Sequence, residues 1–302
     1  MTLLVTAVTA CGRRSKHRHK PHGSGKHGPP VTVTIAVAPE TKPLLERLER
    51  ILSKRQPPLQ LKLTGDAPRD TVLHGKATLG LVAGPGLNPF VDTQPPIRAH
   101  HLGTDTVAVI ANATNPIDRL SLGDLRLILT GQVTDWREVR GPRLPLVAFS
   151  LPQGRGVGAA LRRLVGGKGL DILVRQVRDV ATLLESVRRT PGGIGLLALY
   201  QLPRGDDSKL TPRGLKMLAL SPTAGTPGYL AMDRAAAIKG QYPLLLPVTL
   251  LERTGTEGLA GQELQKLLQP TMLPHLGAQI GLIPRLDPLR KPTLPPPMKQ
   301  AQ

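Results

Sequence analysis

Segment 149–161, FSLPQGRGVGAAL, is the stretch of this sequence best suited to hold a small anion. Its pattern is typical of a strand that runs through a glycine-rich turn into a helix. The first N–H groups of a helix have no partner within the helix and carry a partial positive charge, so such a turn can bind an oxyanion. The turn could equally be a tight connection without a ligand.

The other polar residues do not form a catalytic pattern. The sequence contains no metal-ligand cluster, no nucleophile elbow and no P-loop in the body of the chain. We interpret Asp124, Asp135 and Glu138 as helix caps and solvated positions, and the scattered histidines as surface or packing residues. The sequence therefore predicts no enzyme, no cofactor and no metal site.

The charge of the chain favours an anionic partner. The formal net charge is +19 over 302 residues, which suits nucleic acid, anionic headgroups or a small oxyanion. Nucleic acid is disfavoured because aromatic residues, on which bases stack, make up only 2% and no DNA- or RNA-binding motif is recognisable. The cores must therefore be aliphatic.

The N-terminus resembles a bacterial lipoprotein signal. A short apolar run at 3–10 ends in small residues before Cys11, the only cysteine, and it is too short to span a bilayer. The resemblance implies a signal segment at 1–11 and a lipid anchor on Cys11. The alternative is a frayed terminus with an incidental cysteine.

Two segments are predicted to be disordered. Residues 12–30 interleave Lys and Arg with His, Gly and Pro, which predicts a flexible basic tether. Such a tether would adhere to anionic headgroups by roughly 1 kcal/mol for each basic side chain near the surface. Residues 286–302 are rich in Pro and basic, and they are predicted to form a disordered tail.

Between these segments the pattern alternates strands with helices. Asp179 is positioned as an N-cap, and Ser121 and Asp124 have capping-box spacing. The predicted strands are 31–38, 79–83, 106–111, 144–150, 194–199 and 215–220, and the predicted helices include 43–55, 121–131 and the one after Asp179. This order predicts an α/β fold with largely parallel sheets, which bind ligands at the carboxyl ends of the strands.

Segment 111–150 closely resembles the phosphate-binding proteins of bacterial ABC transporters. Asn115-Pro116, Leu120-Ser121 and the turn 131–136, GQVTDW, stand where that family has N-P-x-x-x-L-T/S and a Gly-Lys-Ile-Thr-Asn-Trp-like turn. Segments 190–199, 239–251 and 281–285 resemble later motifs of the family. The likeness covers most of 31–285 and is loosest in the N-terminal third.

The resemblance implies the two-lobe periplasmic-binding-protein (type 2) fold, an α/β fold with a hinge of crossing strands that closes on a solute. The first lobe would comprise 31–103 and 244–285, and the second lobe would comprise 104–243. Segments 102–111 and 242–248 would be the outward and return crossings.

The resemblance also indicates the candidate ligand-binding residues. The family has the turn Arg-x-x-x-Ser-Gly-Thr, and at its four defined positions this chain has Leu151, Arg155, Gly156 and Val157. The glycine is therefore kept, and both hydroxyl groups are absent. The positive charge lies four residues later than in the family, on Arg155. Arg155 could donate a bidentate pair of hydrogen bonds to phosphate or carboxylate, or it could simply be solvated.

The loop 38–42, APETK, is the candidate on the first lobe. Thr41 could donate its hydroxyl and amide to a ligand, or serve only as an N-cap, and Lys42 could supply charge. Glu40 would either repel an anion or accept its proton. In the third loop, 77–87, Thr78 replaces the acidic residue of the family, so no acceptor remains there, and each missing partner costs roughly 1–3 kcal/mol.

The sequence therefore predicts an extracytoplasmic solute-binding lipoprotein, in the periplasm or at the cell surface, with Thr41, Lys42, Arg155 and Gly156 as ligand contacts. Its ligand would be phosphate or another small anion, and an ABC permease would be its partner. The alternative is a binding fold that has lost its solute and acts as an interaction or scaffold protein at the envelope.

Overall fold

The computed structural model describes residues 29–84, 97–152, 156–166, 173–203 and 211–284. The predictions for 1–11, for nearly all of 12–30 and for 286–302 lie outside these ranges. The described strands are β1 (Val31–Val37), β2 (Leu59–Gly65), β3 (Leu79–Ala83), β4 (Ile97–Asn112), β5 (Arg119–Ser121), β6 (Val147–Ser150), β7 (Arg175–Gln176), β8 (Gly193–Ala198), β9 (Leu215–Ser221) and β10 (Leu245–Arg253). The described α-helices are α1 (Lys42–Leu52), α2 (Pro68–Leu73), α3 (Leu122–Leu129), α4 (Val157–Val165), α5 (Val180–Arg189), α6 (Arg234–Ile238), α7 (Gly258–Leu267) and α8 (Met272–Gln279).

The strands pair in the order β2-β1-β3-β10-β4-β8-β6-β7, with β9 beside β4 and β5 beside β9. Pairing is parallel among β1, β2 and β3 and among β6, β7 and β8, as the strand–helix alternation predicts. The long strands β4 and β10 differ, because they run antiparallel to each other and to their neighbours. They are the connections that pass between the two groups of parallel strands.

Strand β4 joins the two groups. Its residues 97–106 pair with β10, and its residues 107–111 pair with β8. We call β1–β3 and β10 with their helices the first lobe, and β5–β9 with their helices the second lobe. The residue boundaries predicted for the lobes stay a prediction.

The core is aliphatic, as the composition predicts, and it is continuous through both lobes. The largest fully buried side chain is Trp136, whose Nε1 donates to the Gly192 carbonyl at 3.0 Å. Asp135 begins the 3-10 helix Trp136–Val139, and Glu138 accepts from the Asp135 amide at 2.9 Å. The GQVTDW turn therefore has a structural role in packing the second lobe.

The predicted capping residues are confirmed. Ser121 and Asp124 form a reciprocal capping box at the start of α3, and Asp179 accepts from the Thr182 amide at 2.7 Å at the start of α5. Strand β4 begins nine residues earlier than the apolar pattern predicts, since its first half carries Arg98, His100 and His101. Pairing with β10 holds that polar half in the sheet.

Candidate functional site: a cleft between the lobes

A cleft of about 560 Å³ lies between the two lobes. Its wall is formed by the segments that follow strands β1, β2, β6, β7 and β8, including the first turns of α1, α4 and α5. The first lobe contributes residues 38–40, 43 and 66–67, and the second lobe contributes 151–152, 157–158, 178–180 and 200–201. This is the edge at which a parallel α/β sheet binds ligands, because the carboxyl ends of its strands meet there.

Thr41 closes the first-lobe loop onto the sheet. Its hydroxyl donates to the carbonyl oxygens of Ala38 at 2.9 Å and Leu81 at 3.3 Å, and its amide donates to Ala38 at 2.8 Å. Thr41 is the N-cap residue of α1, as one alternative predicts, but its fully buried side chain makes no capping bond to the helix. Both of the donors predicted to hold a ligand are engaged within the protein, and a ligand contact by Thr41 stays a prediction.

Lys42 is exposed at the start of α1, and its amide donates to the Pro39 carbonyl. Lys42 is not among the residues that line the cleft. The predicted contact stays a prediction.

Glu40 extends from the first lobe towards the second. A Cβ atom on Gly156 would lie 3.3 Å from the Glu40 Cγ and 3.6 Å from its Oε1. The Gln201 side chain donates to the Glu40 carbonyl oxygen at 3.3 Å. The Oε1 atom is buried and has no hydrogen-bond partner among the described residues. A carboxyl group of the protein thus lies directly over the start of α4.

The start of α4 forms the facing wall. Gly156 is its N-cap residue, with φ 59° and ψ −124°, a conformation open to glycine and strained for other residues, and no side chain caps the helix there. The Gly156 amide donates to the Ala83 carbonyl at 3.1 Å, so the backbones of the two lobes are in contact. Arg155 lies outside the described residues, and its predicted contact stays a prediction.

The third loop corrects one interpretation of the sequence. Thr78 lies at the amino end of β3, where its amide donates to the Thr34 hydroxyl at 2.9 Å. It is therefore at the opposite end of β3 from the cleft. Among the described positions of this loop, Ala83 reaches the second lobe through its carbonyl, and a Cβ on Gly84 would lie 3.4 Å from the Gly156 amide nitrogen.

Among the described residues of the cleft wall the charges are mostly negative, in contrast to the chain as a whole. The described lining residues include the carboxyl groups of Glu40, Asp66 and Asp179 and the guanidinium of Arg178. Arg178 donates to Asp179 at 3.0 Å. Hydrogen bonds from Thr182, together with Arg178, lower the pKa of Asp179.

Tyr200 is a lining residue that the sequence interpretation missed. It is 4% exposed, and its hydroxyl oxygen has no hydrogen-bond partner within the described part of the chain. Burial, and after it the charges of Asp105 and Glu40, raise the pKa of Tyr200, so the phenol stays neutral. The signal available in the sequence was its position as the first polar residue after the predicted strand 194–199.

Asp105 lies behind Tyr200, on the crossing strand β4. Its Oδ2 accepts from the Tyr200 amide at 3.0 Å. Burial raises the pKa of Asp105 to about 7, although the amides of Tyr200 and Thr106 and the charge of Arg47 act in the opposite direction. Arg47, on α1, donates to the carbonyls of Tyr200 at 2.9 Å and Ile280 at 3.0 Å. This network ties the first-lobe helix to the second lobe behind the cleft.

No group of three or more His, Cys, Asp or Glu residues in the described ranges could hold a metal ion. No helix in those ranges is both long and apolar enough to cross a bilayer.

A two-lobe α/β fold with a cleft at the carboxyl ends of its strands defines a class of periplasmic-binding-protein-like folds. Residues 25–269 match the family model of the PBP superfamily domain, and the chain belongs to that superfamily. The phosphate-binding protein PstS of Bacillus subtilis is 22% identical over 296 residues, which cover 95% of this chain and 92% of that protein.

Solved structures of similar fold support the same assignment. An ABC-type phosphate transport receptor from Vibrio cholerae has a TM-score of 0.63 at 17% identity, covering 84% of this chain and all of that chain. A Clostridium perfringens protein crystallised with bound phosphate has a TM-score of 0.65 at 18% identity, covering 84% of this chain and 99% of its own. The predicted type 2 fold and the resemblance to phosphate-binding proteins, as a divergent member, are confirmed. These relatives are known as phosphate-binding or phosphate-transport proteins.

Proposed function

We propose that this protein is an extracytoplasmic solute-binding protein that captures phosphate or another small anion between its lobes and presents it to an ABC permease. The observation that carries the proposal is the cleft at the carboxyl ends of five strands, with the amino end of α4 on its wall and no side-chain cap on that helix. The names of the phosphate-binding relatives support the same class of solute.

The proposed contacts are those that the sequence indicates. Gly156 allows the backbone at the start of α4 to approach an anion, and Arg155, the preceding residue, would supply a bidentate guanidinium. Lys42 would add charge from the first lobe, and Thr41 would contribute if closure on a solute changed its present hydrogen bonds. No catalytic step is proposed, because the relatives are binding proteins.

We also propose that the protein is anchored to the membrane by a lipid on Cys11, with residues 12–30 as a basic tether. The support is the signal-like sequence before Cys11 and the extracytoplasmic role of a solute receptor. Mass spectrometry of the mature protein from cells tests this. An N-terminus other than a lipid-modified Cys11 would contradict it.

Calorimetric titration of the purified chain with phosphate, sulfate and acetate tests the proposed function. We expect saturable binding of at least one of these anions, and Arg155→Ala should weaken it by about tenfold or more, since a charge-assisted pair of bonds is lost. Arg163→Ala is the matched control, because Arg163 lies exposed on the outer part of α4. Absence of heat with every anion would contradict the proposal and favour the envelope scaffold.

A further inference from the structure

Two residues of the cleft wall each carry a buried polar atom without a partner. Glu40 Oε1 and the Tyr200 hydroxyl have no hydrogen bond within the described chain, and both residues line the same cleft. Buried polar groups in folded proteins are nearly always bonded, so we take the unpaired pair at this cleft as positions at which a solute supplies the partners. These two atoms therefore constrain the chemistry of the solute.

A carboxylate only accepts hydrogen bonds, so Glu40 can be satisfied only by a donor. An ammonium group has three donors and no acceptor, and it also neutralises the charge. The neutral Tyr200 phenol can accept from the same group or donate to an oxyanion beside it. A protonated phosphate also has an O–H donor for Glu40, but it does not neutralise the carboxylate, so the two unpaired atoms favour a solute with a protonated amine.

The charge of the cleft wall also favours a solute with a protonated amine. Of its four described charged residues, Glu40, Asp66 and Asp179 are acidic, and the only described cation, Arg178, already bonds Asp179. A wholly anionic solute placed at the start of α4 would lie against Glu40, since that side chain covers Gly156. A positive group between the oxyanion and Glu40 removes this repulsion.

The size and lining of the cleft leave room for such a solute. About 560 Å³ is more than one tetrahedral ion fills, and the wall includes the apolar side chains of Pro43, Ala67, Leu151 and Val180. A short carbon chain linking an amine to an oxyanion can lie against these side chains.

We propose that the cleft binds a small zwitterion, with its protonated amine against Glu40 and Tyr200 and its oxyanion, a phosphonate or a carboxylate, at the amino end of α4. The inference rests on the proposed function, because it takes solute binding in this cleft as given and specifies the solute.

Calorimetry on the full chain tests the inference with matched probes. 2-Aminoethylphosphonate is compared with ethylphosphonate, and β-alanine with propionate, so that each pair differs only in the amine. We expect at least one zwitterion to bind about tenfold or more tightly than its amine-free analogue, the effect of a hydrogen bond to a charged group. The preferred pair identifies the oxyanion as phosphonate or carboxylate.

Two variants test which residues cause the preference for the amine. Glu40→Gln should abolish the preference for the amine and leave or improve the binding of the amine-free analogue, and Tyr200→Phe should reduce the preference. Glu46→Gln, an exposed change of the same type on α1, should leave both affinities unaltered. Thermal unfolding of each variant checks that it is folded, and the comparison of probes on the unsubstituted chain needs no variant.

The outcomes separate this inference from the proposed function. If phosphate or the amine-free analogues bind as tightly as both zwitterions, the inference is overturned and the proposed function stands. If no probe binds, both are overturned. An amine preference that persists in Glu40→Gln also overturns the assignment of this residue.

Discussion

Two strand-to-helix connections face each other across the cleft, and they are built in opposite ways. The connection from β1 to α1 is closed on itself, because the Thr41 hydroxyl bonds carbonyls on both Ala38 and Leu81. It is also tied to the second lobe through Gln201 and Arg47. The connection from β6 to α4 has no side-chain cap at Gly156 and bonds the other lobe there through a backbone amide.

The difference shows that equivalent positions in the topology can contribute opposite charges to one site. Both connections follow a strand at its carboxyl end and lead into a helix, where the partial positive charge of the helix favours an anion. Both helix starts lack a side-chain cap, but the first connection places the Glu40 carboxyl group at the cleft, whereas the second places the start of α4 there. A fold-level resemblance alone therefore does not determine the solute.

The largest expected effect concerns Asp105, which holds the segment of the second lobe that the first connection contacts. Asp105 accepts from the Tyr200 amide, and burial raises its pKa to about 7 from the ordinary 3.8. The native state thus favours the protonated form of Asp105. The stability that this preference contributes is complete below about pH 4 and is lost as the pH rises through 7.

Asp105→Asn removes this titration. The free energy of unfolding of the variant, relative to the unsubstituted chain, should rise between pH 5 and pH 8 by about 2–3 kcal/mol. Denaturant unfolding at several pH values measures it, with Asp70→Asn, an exposed substitution on α2, as the control. A difference that does not change with pH would mean that Asp105 is not held protonated by burial.

The second prediction tests how closely the two connections approach. Gly156→Ala should lower the free energy of unfolding by about 1–3 kcal/mol, because alanine is strained at this backbone conformation and its Cβ would meet Glu40. Gly225→Ala isolates the strain, since Gly225 also has a positive φ, 83°, but nothing lies within 4 Å of an added Cβ. Equal losses in the two variants would show that the approach of Glu40 to Gly156 is loose.

The fold was accessible from the sequence because its signals are local. Ser121 with Asp124, and Asp179, mark helix starts by side-chain chemistry that needs no knowledge of the rest of the chain. The polar half of β4 was missed, since its position in the sheet depends on pairing with β10, which lies about 150 residues later. Non-local pairing leaves no periodic signal in the strand itself.

The candidate site was accessible only in part. The glycine of the α4 start follows from the sequence, because a strand, a glycine-rich turn and a helix are consecutive. The encounter of Glu40 with Gly156 and the burial of Tyr200 arise from contacts between lobes. The position of Tyr200 after a predicted strand could have marked it as a candidate, but no spacing in the sequence encodes its burial or the unpaired carboxyl oxygen of Glu40.

The smallest expected effect distinguishes closure by Thr41 from capping. Thr41→Val keeps the shape of the side chain and removes the hydroxyl that bonds the carbonyls of Ala38 and Leu81, so it should lower the free energy of unfolding by about 1–2 kcal/mol. Thr41→Ser should retain most of the stability, and Thr32→Val, at an exposed position of β1, is the matched control. If Thr41→Val unfolds like the parent protein yet loses affinity for the solute, the hydroxyl serves the ligand rather than the loop, and the contrast between the two connections would have to be abandoned.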